Sequence, residues 1–306
     1  MKAWMRVLKV VLTSKKLNKR FEFEEPLSIS VSGHKYMSTL KDTFTVKIDN
    51  LTYNEVTQIV MGQFYDVEIQ CGYQKGNVNT IFNGGVLYIS NKLNANKTNT
   101  IIILCTSKLV ASYGQTRLNL TLNSGINLYS AINFICRRAG IPNSNVSTQF
   151  KKQFLTEIMT INDTPGTWID KLCAKNTNFI SSSDSITNQT FSIFDAAKSN
   201  ARVIKLDANN IVLTGGYPRL TSDGLELTIL PTFNFMCGDV IKIDNSIVDI
   251  SVNSRDEISQ NYAAYFSQKG EYMIYEMNYT LQNRGQAFTL VLNCKNRDRI
   301  SAYAGK

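Results

Sequence analysis

The sequence predicts a mainly β chain with a small α+β module in its middle third. Runs that alternate apolar and polar residues with a period of two dominate the first and last thirds. Apolar residues at helical spacing form two stretches between residues 128 and 173. The first and last thirds also carry the same motifs in the same order.

From the N-terminus, Met5, Val7, Val10 and Leu12 suit an exposed or half-buried strand. Lys2 and Arg6 begin like a signal peptide, but Arg6 and Lys9 interrupt the apolar run and no small-residue cleavage site follows. Leu27 to Val31 alternates, and so do Phe44, Val46 and Ile48. Thr52 and Glu55 match a capping box, so a helix is expected from there to about Met61, ending at Gly62. Further strands are expected at Val67 to Cys71, Ile81 to Ser90 and Ile101 to Cys105, with Asn91 to Asn99 as a hairpin tip.

In the middle third, Leu128, Ile132, Ile135 and Cys136 form one helical stripe, closed by Gly140. Asp163, as capping residue before Pro165, opens a second helix with Trp168, Ile169, Leu172 and Cys173 on its buried face. Ser181 to Asn188 reads as a polar loop and Thr190 to Phe194 as a strand. In the last third, strands are expected at Leu225 to Ile229, Val240 to Ile243 and Ile247 to Val252, with a polar loop at Arg255 to Tyr262. Tyr272 to Leu281 and Gln286 to Cys294 flank the turn Gln282-Asn283-Arg284-Gly285.

The internal echo is specific in its order. Asp42 to Ile48 resembles Asp223 to Ile229. Gly62 precedes Asp66-Val67, as Gly238 precedes Asp239-Val240. Each third then ends in a hairpin whose last strand reaches a cysteine, Cys105 or Cys294. Two related β domains are therefore expected, at residues 1–110 and 205–306, around a module at 111–204.

Composition narrows the function. Of 306 residues, 43% are hydrophobic and 19% charged, so a sizeable core is available. The net charge of +9 is spread along the chain and forms no basic helix, which reads as a generic basic surface. The six cysteines include no C-x-x-C pair and read as buried free thiols in a chain made in a reducing cytosol. His34 is the only histidine and reads as a turn or surface residue. The nucleophile-elbow and phosphate-loop motifs are absent, and Asp163 and Asp170 make a poor carboxylate pair on one helix. Arg137-Arg138 and Lys151-Lys152 read as solvated helix ends. No enzyme activity, cofactor or metal site is expected.

The motifs converge on a family. Asp49-Asn50-Leu51, the capped helix, Gly62, Asp66-Val67-Glu68-Ile69, Cys71-Gly72-Tyr73 and Phe82-Asn83-Gly84 resemble the N-terminal domain of phage tail baseplate hub proteins. Thr214 to Leu227, Gly238-Asp239-Val240, Gly270-Glu271-Tyr272 and Gly285-Gln286-Ala287-Phe288 resemble the same family's later strands and closing hairpin. Met236-Cys237 stands where the family usually has a proline before the glycine. The resemblance implies two tube-like β-barrels flanking a LysM-like insert that includes Asp163 to Leu172. It also implies a trimer whose six similar domains form a ring around a central channel, adapting a three-fold spike to a six-fold tail tube. Expected partners are the chain itself, the tail tube and central spike proteins, and possible tape-measure and wedge proteins, with DNA as transient cargo. The expected location is the virion tail baseplate, assembled in the host cytoplasm.

Three other readings compete: a six-fold tube-terminating or distal tail ring, a carbohydrate-binding module using Trp4 and Trp168, and a basic nucleic-acid-binding barrel. For the oligomer, the expected contact is the last hairpin. A single alternation puts Tyr275, Met277, Tyr279 and Leu281 on one face, with Ile274 and Glu276 on the other. One long edge should then be open to a neighbour, so Thr280→Pro should spare the fold and weaken assembly.

Overall fold

A computed structural model describes residues 5–14, 16–37, 42–62, 65–93, 99–107, 116–141, 144–175, 179–184, 190–195, 201–206, 218–221, 224–244, 267 and 269–297. β1 (Arg6–Ser14) and β2 (Lys19–Phe23) form the opening hairpin, and β3 (Ser28–Tyr36) pairs with β4 (Thr43–Leu51). α1 (Tyr53–Gly62) leads into β5 (Tyr65–Tyr73), followed by the long hairpin of β6 (Val78–Leu93) and β7 (Asn99–Ser107). The middle module contains β8 (Leu118–Leu122), α2 (Leu128–Arg138), β9 (Ser144–Val146), a 3-10 turn (Thr148–Lys152), β10 (Met159–Asp163), α3 (Pro165–Lys175), β11 (Phe179–Asp184) and β12 (Thr190–Asp195). The chain then returns to β13 (Val203–Lys205), β14 (Arg219–Thr221), β15 (Gly224–Ile229), β16 (Val240–Lys242), β17 (Glu271–Gln282) and β18 (Phe288–Asn296).

The protein is mostly β, as the sequence predicts. The first and last thirds share one 13-stranded sheet, in the order β14-β15-β18-β17-β3-β4-β7-β6-β5-β1-β2, with β16 on β17 and β13 on β16. The sheet curls, because one continuous apolar core draws residues from both of its ends. Tyr73 on β5 meets Phe288 on β18 edge to face at 5.5 Å. Phe44 on β4 lies 4.5 Å from Phe82 and 5.7 Å from Tyr279, ring centre to ring centre. The middle module has a separate core, built from Ile132, Ile135, Phe150, Ile161, Trp168, Ile169 and Ile193 among others.

The echo in the sequence reappears in the pairing. β4 meets β7 with Phe44 opposite Cys105, Val46 opposite Ile103 and Ile48 opposite Ile101. β15 meets β18 with Leu225 opposite Cys294, Leu227 opposite Leu292 and Ile229 opposite Leu290. In the two long hairpins, Val86 faces Cys105 and Ile274 faces Cys294. The next residue, Leu87 or Tyr275, bulges out, and the ladders resume at Tyr88–Leu104 and Glu276–Asn293. One detail of the expected alignment shifts by a residue. Val67 faces Gly84, and the residue facing the equivalent Tyr272 is Ile241 rather than Val240. Burial agrees: Ile241 joins the core that holds Val67, whereas Val240 packs with Met273 on the other side.

Several local expectations need correction. Ser181 to Asp184, read as loop, are strand residues of β11 paired with β12. The cap of α3 is Thr164: its hydroxyl accepts the Thr167 N–H at 3.3 Å and its carbonyl accepts the Trp168 N–H. Asp163 instead ends β10, where its carboxylate accepts the Thr164 N–H at 2.8 Å. That bond, with help from Lys171, holds the Asp163 carboxyl below its ordinary range. Asn91 to Leu93, read as hairpin tip, still pair with β7. His34 lies within β3, not in a turn. The expected strand at Ile247 to Val252, the loop at Arg255 to Tyr262, Trp4 and the side chain of Cys173 lie outside the described residues.

The capping box at α1 forms as expected. The Thr52 hydroxyl accepts the Glu55 N–H at 3.3 Å, and the Glu55 carboxylate accepts the Thr52 N–H at 2.8 Å. Gly62, the last residue of α1, has no room for a side chain because the Tyr65 ring fills that space, with the Tyr65 hydroxyl donating to the Ile59 carbonyl at 2.8 Å.

Gly33, at the middle of β3, is set by close packing. A Cβ there would lie 2.0 Å from Cε1 of Phe44, whose ring is fully buried. Gly33→Ala should therefore cost about 1–3 kcal/mol, because the ring has no room to yield. Chemical denaturation checks this: the midpoint should fall with the slope unchanged, and a wild-type midpoint would contradict the packing described.

Candidate assembly interface

The last hairpin lies inside the sheet. Its five candidate interface residues have different environments. Met277, Tyr279 and Leu281 are buried in the core, Thr280 is exposed, and Tyr275 is the half-buried bulge with the Lys295 ammonium 5.0 Å from its ring centre. The bulge breaks the simple alternation. Ile274 is fully buried in the same core as Met277, not on the opposite face. Both long edges of the hairpin are also occupied within the chain, β17 by β3 and β18 by β15. The open edge expected from the sequence is closed. The peptide unit of Thr280 lies between Ser32 and Thr289, so a proline there would interrupt the middle of a sheet.

What the hairpin builds is a seam between the two thirds. β17 and β3 pair antiparallel from Glu276–Tyr36 to Gln282–Ser30. Beyond the strands, the Met37 N–H donates to the Tyr275 carbonyl at 2.7 Å. At the other end Asn283 prolongs the ladder. Its side chain accepts the Ile29 N–H at 2.9 Å and donates to the Leu27 carbonyl at 2.7 Å. Arg6 clamps the same turn, donating to the carbonyls of Gly285 and Gln286 and lying 5.3 Å from the centre of the Phe288 ring.

Glu276 is the polar centre of the seam. Its carboxylate accepts from Asn293 Nδ2 at 2.9 Å and Asn278 Nδ2 at 3.2 Å, and His34 Nε2 lies 2.7 Å away. Because an ionised carboxylate only accepts, Nε2 carries the proton in this arrangement. Burial alone would raise the Glu276 carboxyl, but the bonds from Asn293, His34 and Asn278 outweigh it and hold the group below its ordinary value. The Tyr36 hydroxyl is pushed up by burial and by the nearby Glu276 charge.

Other candidate groups lie in the cores. Burial pushes the thiols of Cys71, Cys105 and Cys136 up to about 12, so they are poor nucleophiles. Trp168 is 6% exposed and packs in the module core, which leaves little face for a sugar. Among the described residues, no three His, Cys, Asp or Glu side chains gather as a metal site. No described helix is long and apolar enough to cross a membrane.

Among the described residues, an open apolar edge lies on β6. β6 pairs with β7 over Gly84 to Leu93, but with β5 only over Val78 to Gly85. From Val86 to Leu93 its second edge meets no described strand, and Leu87, Tyr88 and Leu93 are exposed there. Sequence reasoning missed this edge because β6 and β17 look alike as strands. Only the long-range partner of β17 distinguishes them.

Solved structures share this architecture. A 43 kDa tail protein of prophage MuSo2 from Shewanella oneidensis superposes with a TM-score of 0.59 at 12% identity, covering 95% of this chain and 98% of that one. An Escherichia coli component of the type VI secretion system, described as similar to the phage T4 tail proteins gp27 and gp5, gives 0.57 at 11% identity over 89% of this chain and 74% of its own. A tail protein from Neisseria meningitidis MC58 gives 0.56 at 8% identity over 95% and 97%. No protein-family model and no curated protein sequence matches the chain. The chain therefore has the fold of phage-type tail proteins.

The Glu276 network has a pH consequence. A carboxyl held low in the folded state contributes stability above its unfolded value near 4.5, and that contribution is lost as the pH falls through the folded value. Glu276→Gln should flatten this acid limb. It should also destabilise the protein at neutral pH by about 1–3 kcal/mol, because an amide N–H would confront donors. Denaturation midpoints measured from neutral pH down to about pH 3, roughly one and a half units below the free carboxylate pKa, read both effects. An unchanged acid limb would contradict the network.

Proposed function

We propose that the chain is a structural subunit of a phage or phage-like tail, the hub of its baseplate. In this reading three copies form a ring around a central channel, with the β regions at residues 1–110 and 205–306 acting as two tube-like barrels. The module at 111–204 is a LysM-like insert at the periphery. The observation that carries the proposal is the internal repeat. Two stretches of one chain share strand order, register and the position of a bulge.

A tail tube with six-fold symmetry presents six equivalent contacts, whereas a spike with three-fold symmetry presents three. A chain with two equivalent β units satisfies both when three copies close a ring, since each copy fills two of the six positions. Function then lies in shape and symmetry, with no catalytic step and no cofactor. The partners on this reading are the tube protein on one side and the spike on the other. Tape-measure and wedge proteins follow the same contacts, and DNA passes through the channel.

Sedimentation equilibrium on the purified full chain tests this. The expected mass is three times the 34.4 kDa of one chain. A six-chain particle would favour a tube-terminating ring, and a monomer at all accessible concentrations would contradict the hub.

A further inference from the structure

The repeat also specifies how one copy would join the next. Read along the sheet, β14-β15-β18-β17 is followed by β3-β4-β7-β6. The same four-strand order occurs twice, because β14 stands to β15 as β3 stands to β4. The correspondence is residue-specific. Leu220 faces Leu225 as Gly33 faces Phe44, and Leu225 and Phe44 each face the cysteine of the next strand. Inside the chain, the end of one repeat joins the start of the other through β17 and β3. The equivalent junction, from β6 to a β14, is not made among the described residues. Among the described residues both halves of that junction are edges: the second edge of β6 from Val86 to Leu93, and the side of β14 away from β15.

We propose that β6 of one copy pairs antiparallel with β14 of a neighbouring copy, in the register of the β17–β3 seam. This rests on the hub reading above and names the contact that closes its ring. Aligning the bulges equates Leu87 with Tyr275, Ile89 with Met277, Lys92 with Thr280 and Leu93 with Leu281. The seam pairs Thr280–Ser32 and Tyr279–Gly33 then become Lys92–Arg219 and Asn91–Leu220 between copies.

Burial supports the occupant. Leu281 is completely buried where β3 covers β17, and its counterpart Leu93 is 68% exposed. An apolar, unpaired strand edge is an aggregation hazard that a partner strand removes. A second copy is the fitting partner, because this chain already contains the complementary edge. The contact is head to tail, so it generates rings if the rotation closes. Lys92 and Arg219 would be neighbours, but Arg219 carries its own counter-ion, Glu226, at 2.9 Å.

The test places a cysteine at each of two exposed positions of the full chain, Lys92→Cys with Arg219→Cys, and bridges them with a short bis-maleimide. Covalent species of two and three chains are expected on a denaturing gel, and neither single substitution should give them. A particle that sediments as a trimer but yields no bridged chains would overturn this pairing and leave the hub reading standing. A chain that stays monomeric would overturn both. Bridged species running well beyond three chains would support the pairing and contradict a three-copy ring. Leu93→Glu gives an independent readout, since its side chain is exposed in the single chain. It should weaken self-association roughly tenfold or more, about 1.4 kcal/mol per tenfold, with circular dichroism unchanged. Unaltered association would count against the β6 edge.

Discussion

The backbone ladder between β3 and β17 is the constraint on which the rest of the structure depends. It joins strands some 250 residues apart in sequence (|i−j| = 242 between His34 and Glu276). It converts two repeats into one sheet with one core. Closing so long a loop carries an entropic cost that grows only slowly with length. A paired strand with Met277, Tyr279 and Leu281 buried beneath it offsets that cost through hydrophobic contact. Glu276, His34 and Asn283 add polar specificity, because a shift of one residue would leave their partners unsatisfied and turn the apolar side chains outward.

The proposed function rests on the same seam through symmetry. The seam is one instance of a repeat-to-repeat contact, and a chain with two repeats has the components for a second. The apolar edge of β6, which meets no described strand from Val86 to Leu93, is the proposed counterpart of that contact. The middle module, with its own core, stands outside this logic. Its Trp168 and buried stripe explain its stability without assigning it a ligand.

Much of the fold was legible because it depends on short-range patterns. The alternation of Phe44, Val46 and Ile48 announced β4, Thr52 and Glu55 announced α1, and the paired cysteine-ending hairpins announced the repeat. The failures also have physical causes. A bulge at Tyr275 leaves no mark in composition, so a period of two carried across it put Ile274 on the wrong face. Asp163 and Thr164 are both good caps, and only the course of β10 decides between them. Polar Ser181 to Asp184 look like a loop until β12 pairs with them. The sequence reading left an edge of β17 open because pairing with β3 is a property of the tertiary fold and not of either strand's sequence.

Native-state hydrogen exchange along the seam tests the central claim most directly. If the ladder welds the two repeats into one cooperative sheet, the interior amides of β3 and β17 should exchange only through global unfolding. Their protection should then match that of the β4–β7 and β15–β18 pairs. Seam amides that exchange well before those flanking pairs would show two units opening independently, and would contradict the account.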